Sequence, residues 1–182
     1  LLAMQGMRAQ DSVRPLTILH TNDLHAHLLP NDQGEGGFAY LATAIRKERE
    51  HCAACLYLNA GDVVQGTPVS TIYQGVPVYE IANLLGIDVS TLGNHEFDFG
   101  PVGPDPVVRQ PGQDPLGALK KNAAMARFPF LSANLTDKAT GKTPQWAKTH
   151  LLPGAAGVTP GATGLGAHHH PGGTQCPRVG AP

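Results

Sequence analysis

Charge, cysteine and long apolar runs are all scarce in this sequence, and each scarcity excludes a class of protein. Charged residues make up 15% of the 182, and 13 Lys and Arg against 14 Asp and Glu leave a net charge of −1, with no long run of either sign. The basic face that a nucleic acid requires is missing. Three cysteines, Cys52, Cys55 and Cys176, are too few, odd in number and too unevenly spread to frame a disulfide-stapled fold. Cys52 and Cys55 have redox-motif spacing, but they precede a strand pattern where a thioredoxin-type pair opens a helix, so they read as buried or locally paired thiols. No apolar stretch approaches the roughly 20 residues of a membrane-spanning helix.

Glycine (22) and proline (16) are abundant, together more than a fifth of the chain. At about 150 residues per domain, the length predicts one domain, or one domain with a tail. From Pro153 to Pro182 Gly and Pro dominate, Arg178 is the one charged side chain and no helical or strand period survives, which predicts a disordered tail. At the other end, Leu1-Leu2-Ala3-Met4 reads equally as the end of an apolar signal segment, with Ala9 before Gln10 and Asp11 as a cleavage point, or as a ragged fragment end. Residues 1–14 are therefore expected to be a signal remnant or an unstructured N-terminus, and a signal remnant would mean export to a periplasmic or extracellular space. The first residue is Leu1 and not Met, which predicts a start inside a longer reading frame.

Between these ends, three apolar runs of strand length each finish in a short polar group. Pro15 to His20 leads into Thr21-Asn22-Asp23, Leu56-Tyr57-Leu58 into Asn59-Ala60-Gly61-Asp62, and Val89 to Leu92 into Gly93-Asn94-His95. Helical patterns separate them. Phe38, Leu41, Ala42 and Ile45 recur at i, i+3, i+4 and i+7 and the charged stretch Arg46 to Glu50 follows, which predicts an amphipathic helix opened by Gly36-Gly37. Pro77, Val78, Ile81, Ala82 and Leu85, closed by Gly86, predict a second helix, and Leu116 to Ala126 a third. Phe128 to Asn134 reads as a fourth strand, with Pro129 near its start, where a missing donor is tolerated. Residues 100–117, rich in Pro and Gly, predict a long surface loop. Strands alternating with helices imply an α/β fold with a largely parallel sheet, whose ligands lie beyond the carboxyl ends of the strands. All three polar groups fall there.

Each group holds metal-competent side chains. In Asp23-Leu24-His25-Ala26-His27, alternate residues of an extended segment share a side, so Asp23 and His25 can close on one cation. A carboxylate with an imidazole suits zinc, manganese or iron better than calcium. His27 reads as a pocket residue more than a ligand. Asp62 sits in a glycine-bounded turn where backbone can approach an ion closely. Gly93-Asn94-His95-Glu96-Phe97-Asp98 sets an amide oxygen and an imidazole side by side after a strand, with Asp98 near enough to orient the ring.

These segments resemble the opening signatures of the exported 5'-nucleotidase family, a branch of the calcineurin-like metallophosphoesterases. The likeness runs from Leu16 to Leu135 and takes in Leu19 to His25, Asn59 to Asp62 with Gln65-Gly66, Thr91 to Asp98, Gly36-Gly37, Asn83 to Gly86 and Phe128 to Leu135. It implies a four-layer α-β-β-α sandwich, present here in part over residues 15–152, with two divalent cations such as zinc or manganese at its mouth. Asp23 and His25 would hold the first ion, Asp62 would bridge both and Asn94 would hold the second. His95, oriented by Asp98, would stabilise the transition state or serve the leaving oxygen. Two ions about 3.5 to 4 Å apart clamp the attacking and leaving oxygens of an in-line displacement. The resemblance thus implies hydrolysis of a nucleotide phosphate monoester by a metal-bound hydroxide, a small-molecule substrate, and no nucleic-acid, membrane-spanning or protein partner.

Further family motifs, a metal-binding histidine, Gly-His-x-His and a nucleobase-stacking domain, are not found here. His150 and His168-His169-His170 are the later histidines, and a Gly/Pro tract gives them no strand to aim them. At roughly three protein ligands per ion, the first site is complete and the second is short, so this chain is expected to hold one ion. A gene fragment or a frame shift after Leu152 accounts for the pattern, as does a catalytically silent metal-binding remnant. 2',3'-Cyclic phosphodiesterase, UDP-sugar hydrolase and sulfur-ester hydrolase activities remain open within the family, and redox chemistry at Cys52 and Cys55 is the remaining alternative.

Overall fold

The computed structural model describes residues 15–148. The expected signal remnant at 1–14, the Gly/Pro tail at 153–182, Cys176, His150 and the histidine run at 168–170 lie outside the described residues. The order of elements is β1 (Thr17–Thr21), α1 (Phe38–Glu50), β2 (Cys55–Asn59), α2 (Pro68–Ile72), α3 (Val76–Ala82), β3 (Val89–Thr91), a 3-10 turn (His95–Phe97), α4 (Gly117–Met125) and β4 (Phe130–Leu131). The strands form one parallel sheet in the order β1-β2-β3-β4. This is the mixed α/β architecture with a parallel sheet that the alternation of patterns predicts. The second sheet of the expected sandwich is not among the described residues.

The sheet shortens from β1 to β4, and this explains the one strand that falls short of expectation. β1 and β2 pair over five residues, whereas β3 offers only Ser90 and Thr91 to Phe130 and Leu131. The strand predicted over Phe128 to Asn134 therefore contracts to two residues. Pro129 sits just before it and contributes a carbonyl, which accepts the N–H of Ser90 at 3.1 Å, so its missing donor costs nothing. Beyond the strand, Lys148 bridges to Leu131, its N–H donating to the Phe130 carbonyl at 2.9 Å.

The helices follow the apolar spacing with one shift. α1 buries Phe38 and Ile45, and places Lys47 and Arg49 in its last turn, where cations complement the helix dipole. α3 ends at Ala82, before the predicted Leu85, because the chain tightens into i→i−3 bonds at Leu84 and Leu85. Asn83, just past the helix, serves α4: its Nδ2 donates to the Met125 carbonyl at 3.1 Å and its Oδ1 accepts the N–H of Arg127 at 2.7 Å. Leu85 stays buried regardless. The short helix α2 has no counterpart in the apolar pattern, although Thr67-Pro68 carries an N-cap residue followed by a first-turn proline.

A cluster of Tyr79, Phe128 and Phe130, with ring centroids 5.6 to 6.4 Å apart, anchors the core together with Tyr57, Val63, Val78 and Leu92. At the amino-terminal end of the sheet, Arg49 donates to Asp88 at 2.7 Å and to the Gly86 carbonyl at 2.8 Å, while Asp88 also accepts the N–H of Tyr57. α1, β2 and the entry to β3 are sewn together there. A disulfide joins Cys52 to Cys55 across the α1–β2 turn, in keeping with locally paired thiols.

Candidate metal centre

Parallel strands end at the same side of a sheet, so the segments after β1, β2 and β3 meet at one rim. The first and second of these segments continue the pairing past the strands. Ala60 N–H donates to the Thr21 carbonyl, Asp23 to Gly61, His25 to Asp62 and Ala26 to Val63, at 2.8 to 3.1 Å. These bonds bend the backbone sharply: Asp23, His25, Ala26 and Asp62 all have φ between +44° and +53°. The segment after Asn22 is therefore not extended, contrary to the alternation assumed from the sequence. Its bonds to the second loop, and not a strand pleat, put Asp23 and His25 on one side, with Asp23 Oδ1 3.7 Å from His25 Nε2. Left-handed conformations at non-glycine residues concentrate at functional sites because the surrounding structure must over-determine them.

The second and third loops meet at two glycines. A Cβ on Gly61 would strike the backbone of Gly93, and one on Gly93 would strike the Asp62 carboxylate. The Asp62 Oδ1 accepts the N–H of His95 at 2.9 Å. His25, Asp62 and His95 consequently each offer one ligand atom, all within 4.8 Å of one another. That spacing is a little over twice the roughly 2.1 Å length of a metal bond to nitrogen or oxygen, so small side-chain movements bring all three onto one ion. Two imidazoles and a carboxylate fit zinc, manganese or iron. The rings of His25 and His95 lie edge-on, 5.1 Å apart.

The remaining residues singled out from the sequence take distinct places. Asn94 is exposed and heads the 3-10 turn, its carbonyl accepting the N–H of Phe97. Asp98 Oδ2 lies 2.6 Å from His95 Nδ1, which fixes the ring and leaves Nε2 as the nitrogen it does not engage. Burial disfavours charge on His95, but the hydrogen bond to Asp98 and the charges of Asp98, Asp62 and Glu96 outweigh it and raise its pKa. His27 is exposed and turns its Nδ1 back onto the Leu24 carbonyl at 3.1 Å. Asn22 donates to the Asp23 carboxylate.

Two residues of the motifs had no role assigned from sequence. Glu96 is buried, and its carboxylate accepts the N–H groups of Asp62 (3.0 Å), Val63 (2.8 Å) and Gly93 (2.6 Å). Burial pushes its pKa up to about 7, against the opposing pull of those hydrogen bonds. Gln65 donates to Asp98 at 3.3 Å and accepts from Thr71 at 3.0 Å, so it braces the partner of His95. The available signal for Glu96 was its place between His95 and Phe97 in a short segment that the third loop must bury.

The model of the calcineurin-like phosphoesterase family matches residues 16–155. Protein UshA of Escherichia coli (strain K12) is 36% identical over 137 residues, which are 73% of this chain and 22% of UshA. The 5'-nucleotidase of Vibrio cholerae is 39% identical over 136 residues, 72% of this chain and 22% of that protein. Among solved structures, the 5'-nucleotidase precursor from Thermus thermophilus superposes with a TM-score of 0.68 at 31% identity, over 84% of this chain and 29% of that one. The chain thus spans between a fifth and a third of the length of these relatives. The match takes in every described strand and all three loops that carry His25, Asp62 and His95, and the chain belongs to the calcineurin-like phosphoesterase family.

Proposed function

We propose that residues 15–152 form the N-terminal, metal-binding part of an exported 5'-nucleotidase-type phosphoesterase, whose substrate is a nucleotide phosphate monoester. The observation that carries this reading is the convergence, from three separate strand-end loops, of the ligands His25 and Asp62 with the His95 ring beside them, to within 4.8 Å. Asp23 and His25 are assigned to a first divalent ion, Asp62 to that ion and a second, and Asn94 to the second. The ions, when bound, would supply Lewis acidity toward water and phosphate. His95 is held by Asp98 in one orientation with its proton favoured, which suits it to a leaving oxygen that gains negative charge. Gln65 keeps Asp98 in place.

Phosphate release from AMP by the full-length protein tests these roles. Asp62→Asn is expected to abolish it, and His95→Asn to reduce kcat by roughly 10²- to 10⁴-fold, the usual scale of a proton-transfer group. Wild-type turnover by either variant would refute the assignment. A panel containing AMP, a 2',3'-cyclic nucleotide and a UDP-sugar separates the activities within the family.

A second reading, a catalytically silent metal-binding remnant, is favoured by the cluster of His25, Asp62 and His95, which among the described residues is a ligand set for a single ion. Metal titration of the 182-residue chain decides: two ions with turnover support an enzyme, and one ion without turnover supports the remnant.

A further inference from the structure

We infer that Glu96 is a positioning residue that assembles the metal centre before any ion arrives, its carboxylate clamping the second and third loops together. The inference rests on the metal-centre reading above. Three facts of geometry carry it. The side chain is 2% exposed, so its contacts are shielded from competing water. The donors it accepts from are divided between loops: Oε2 takes the N–H of Asp62 and of Gly93, and Oε1 takes that of Val63. One of those donors belongs to Asp62 itself, whose φ of +53° requires external support.

A buried carboxylate without partners is costly, and so is a buried N–H without an acceptor. Three backbone donors and one carboxylate cancel both costs in a single arrangement. That arrangement fixes the direction in which Asp62 leaves the backbone, while His95, the residue before Glu96, is tied to the Asp62 carboxylate through its own N–H. Asp62, assigned to the ions, and His95 beside it are therefore both held by groups that are present without a cation.

The 182-residue chain provides the test. Glu96→Gln keeps the shape but faces an amide N–H₂ toward at least one backbone donor. Calorimetric titration should show its Mn²⁺ affinity falling at least tenfold, and the visible spectrum of the Co²⁺-loaded chain should change. Asp88→Asn is the comparison. It also removes a carboxylate that accepts a backbone N–H, that of Tyr57, but at the opposite end of the sheet. It should lower the melting temperature and leave the Mn²⁺ affinity within twofold and the Co²⁺ spectrum unaltered. A Glu96→Gln chain that melts lower yet binds Mn²⁺ like the wild type would overturn the inference. Should that variant not fold, amide exchange in the wild type decides. The N–H groups of Asp62, Val63 and Gly93 are expected to be protected without metal. Exchange at exposed-loop rates until Zn²⁺ is added would show that the ion, and not Glu96, assembles the loops. A wild-type chain that binds neither Mn²⁺ nor Co²⁺ would overturn the metal centre itself, a different result from selective failure of the variant.

Discussion

Gly61 and Asp62 are adjacent residues that both occupy the left-handed region, at φ +98° and +53°. Gly61 does so without strain, but a side chain there would also meet the Gly93 backbone. Gly61→Ala is therefore expected to destabilise the chain by about 3 kcal/mol, toward the upper end of single-substitution effects, and to weaken metal binding. A denaturant midpoint and an Mn²⁺ titration measure the two losses. The residue types at this rim were legible in the sequence because His, Asp and Asn cluster just after three runs of strand length. The backbone that presents them was not. Asp23 and His25 share a side through bonds to Gly61 and Asp62, residues far along the chain, and no local periodicity encodes those bonds. Glu96 escaped for a related reason: an acidic side chain reads as exposed until the donors that surround it are known.

Elements with a full apolar stripe were the readable ones. α1 and α4 begin and end close to the limits set by Phe38 to Glu50 and Leu116 to Ala126, since each covers enough turns for the i, i+3, i+4 spacing to show. α2, five residues long, is too short to display a period, and β4 is set by how little of β3 remains to pair with. What joins elements is polar and long-range. Asp88 receives Arg49 from the end of α1 and the N–H of Tyr57 from β2, and the two charged side chains are about a third exposed. Because solvent screens the ion pair, the backbone bond dominates the contribution. Asp88→Ala should lower stability by roughly 1–2 kcal/mol, as expected when a partly buried N–H loses its acceptor. Urea denaturation checks this, and a loss no greater than that of Arg49→Ala would assign the effect to the ion pair instead.

At the scale of the whole molecule, the described residues finish the sheet on one side only. β4 is bridged by Lys148 at its outer edge, whereas β1 pairs only with β2 among the described residues and leaves Thr17, Ile18 and His20 exposed, Ile18 at 55%. Parallel strands are ordinarily buried on both faces, and β2, β3 and β4 largely are. An edge strand with an exposed isoleucine, and no second strand neighbour among the described residues, is a template for association. The 182-residue chain should therefore form concentration-dependent oligomers and melt in a broad, low transition. Ile18→Lys places a charge on that face without emptying a packed site. Light scattering should show association falling in this variant while the melting temperature stays within about 2 °C, the shift that a surface change of under 0.5 kcal/mol produces. Equal association in the two chains would move the sticky surface elsewhere, to Leu84 or to the Ile72-Tyr73 pair, each more than half exposed. A sharp melting transition of a monomer would mean that the sheet is stable with its β1 side uncovered.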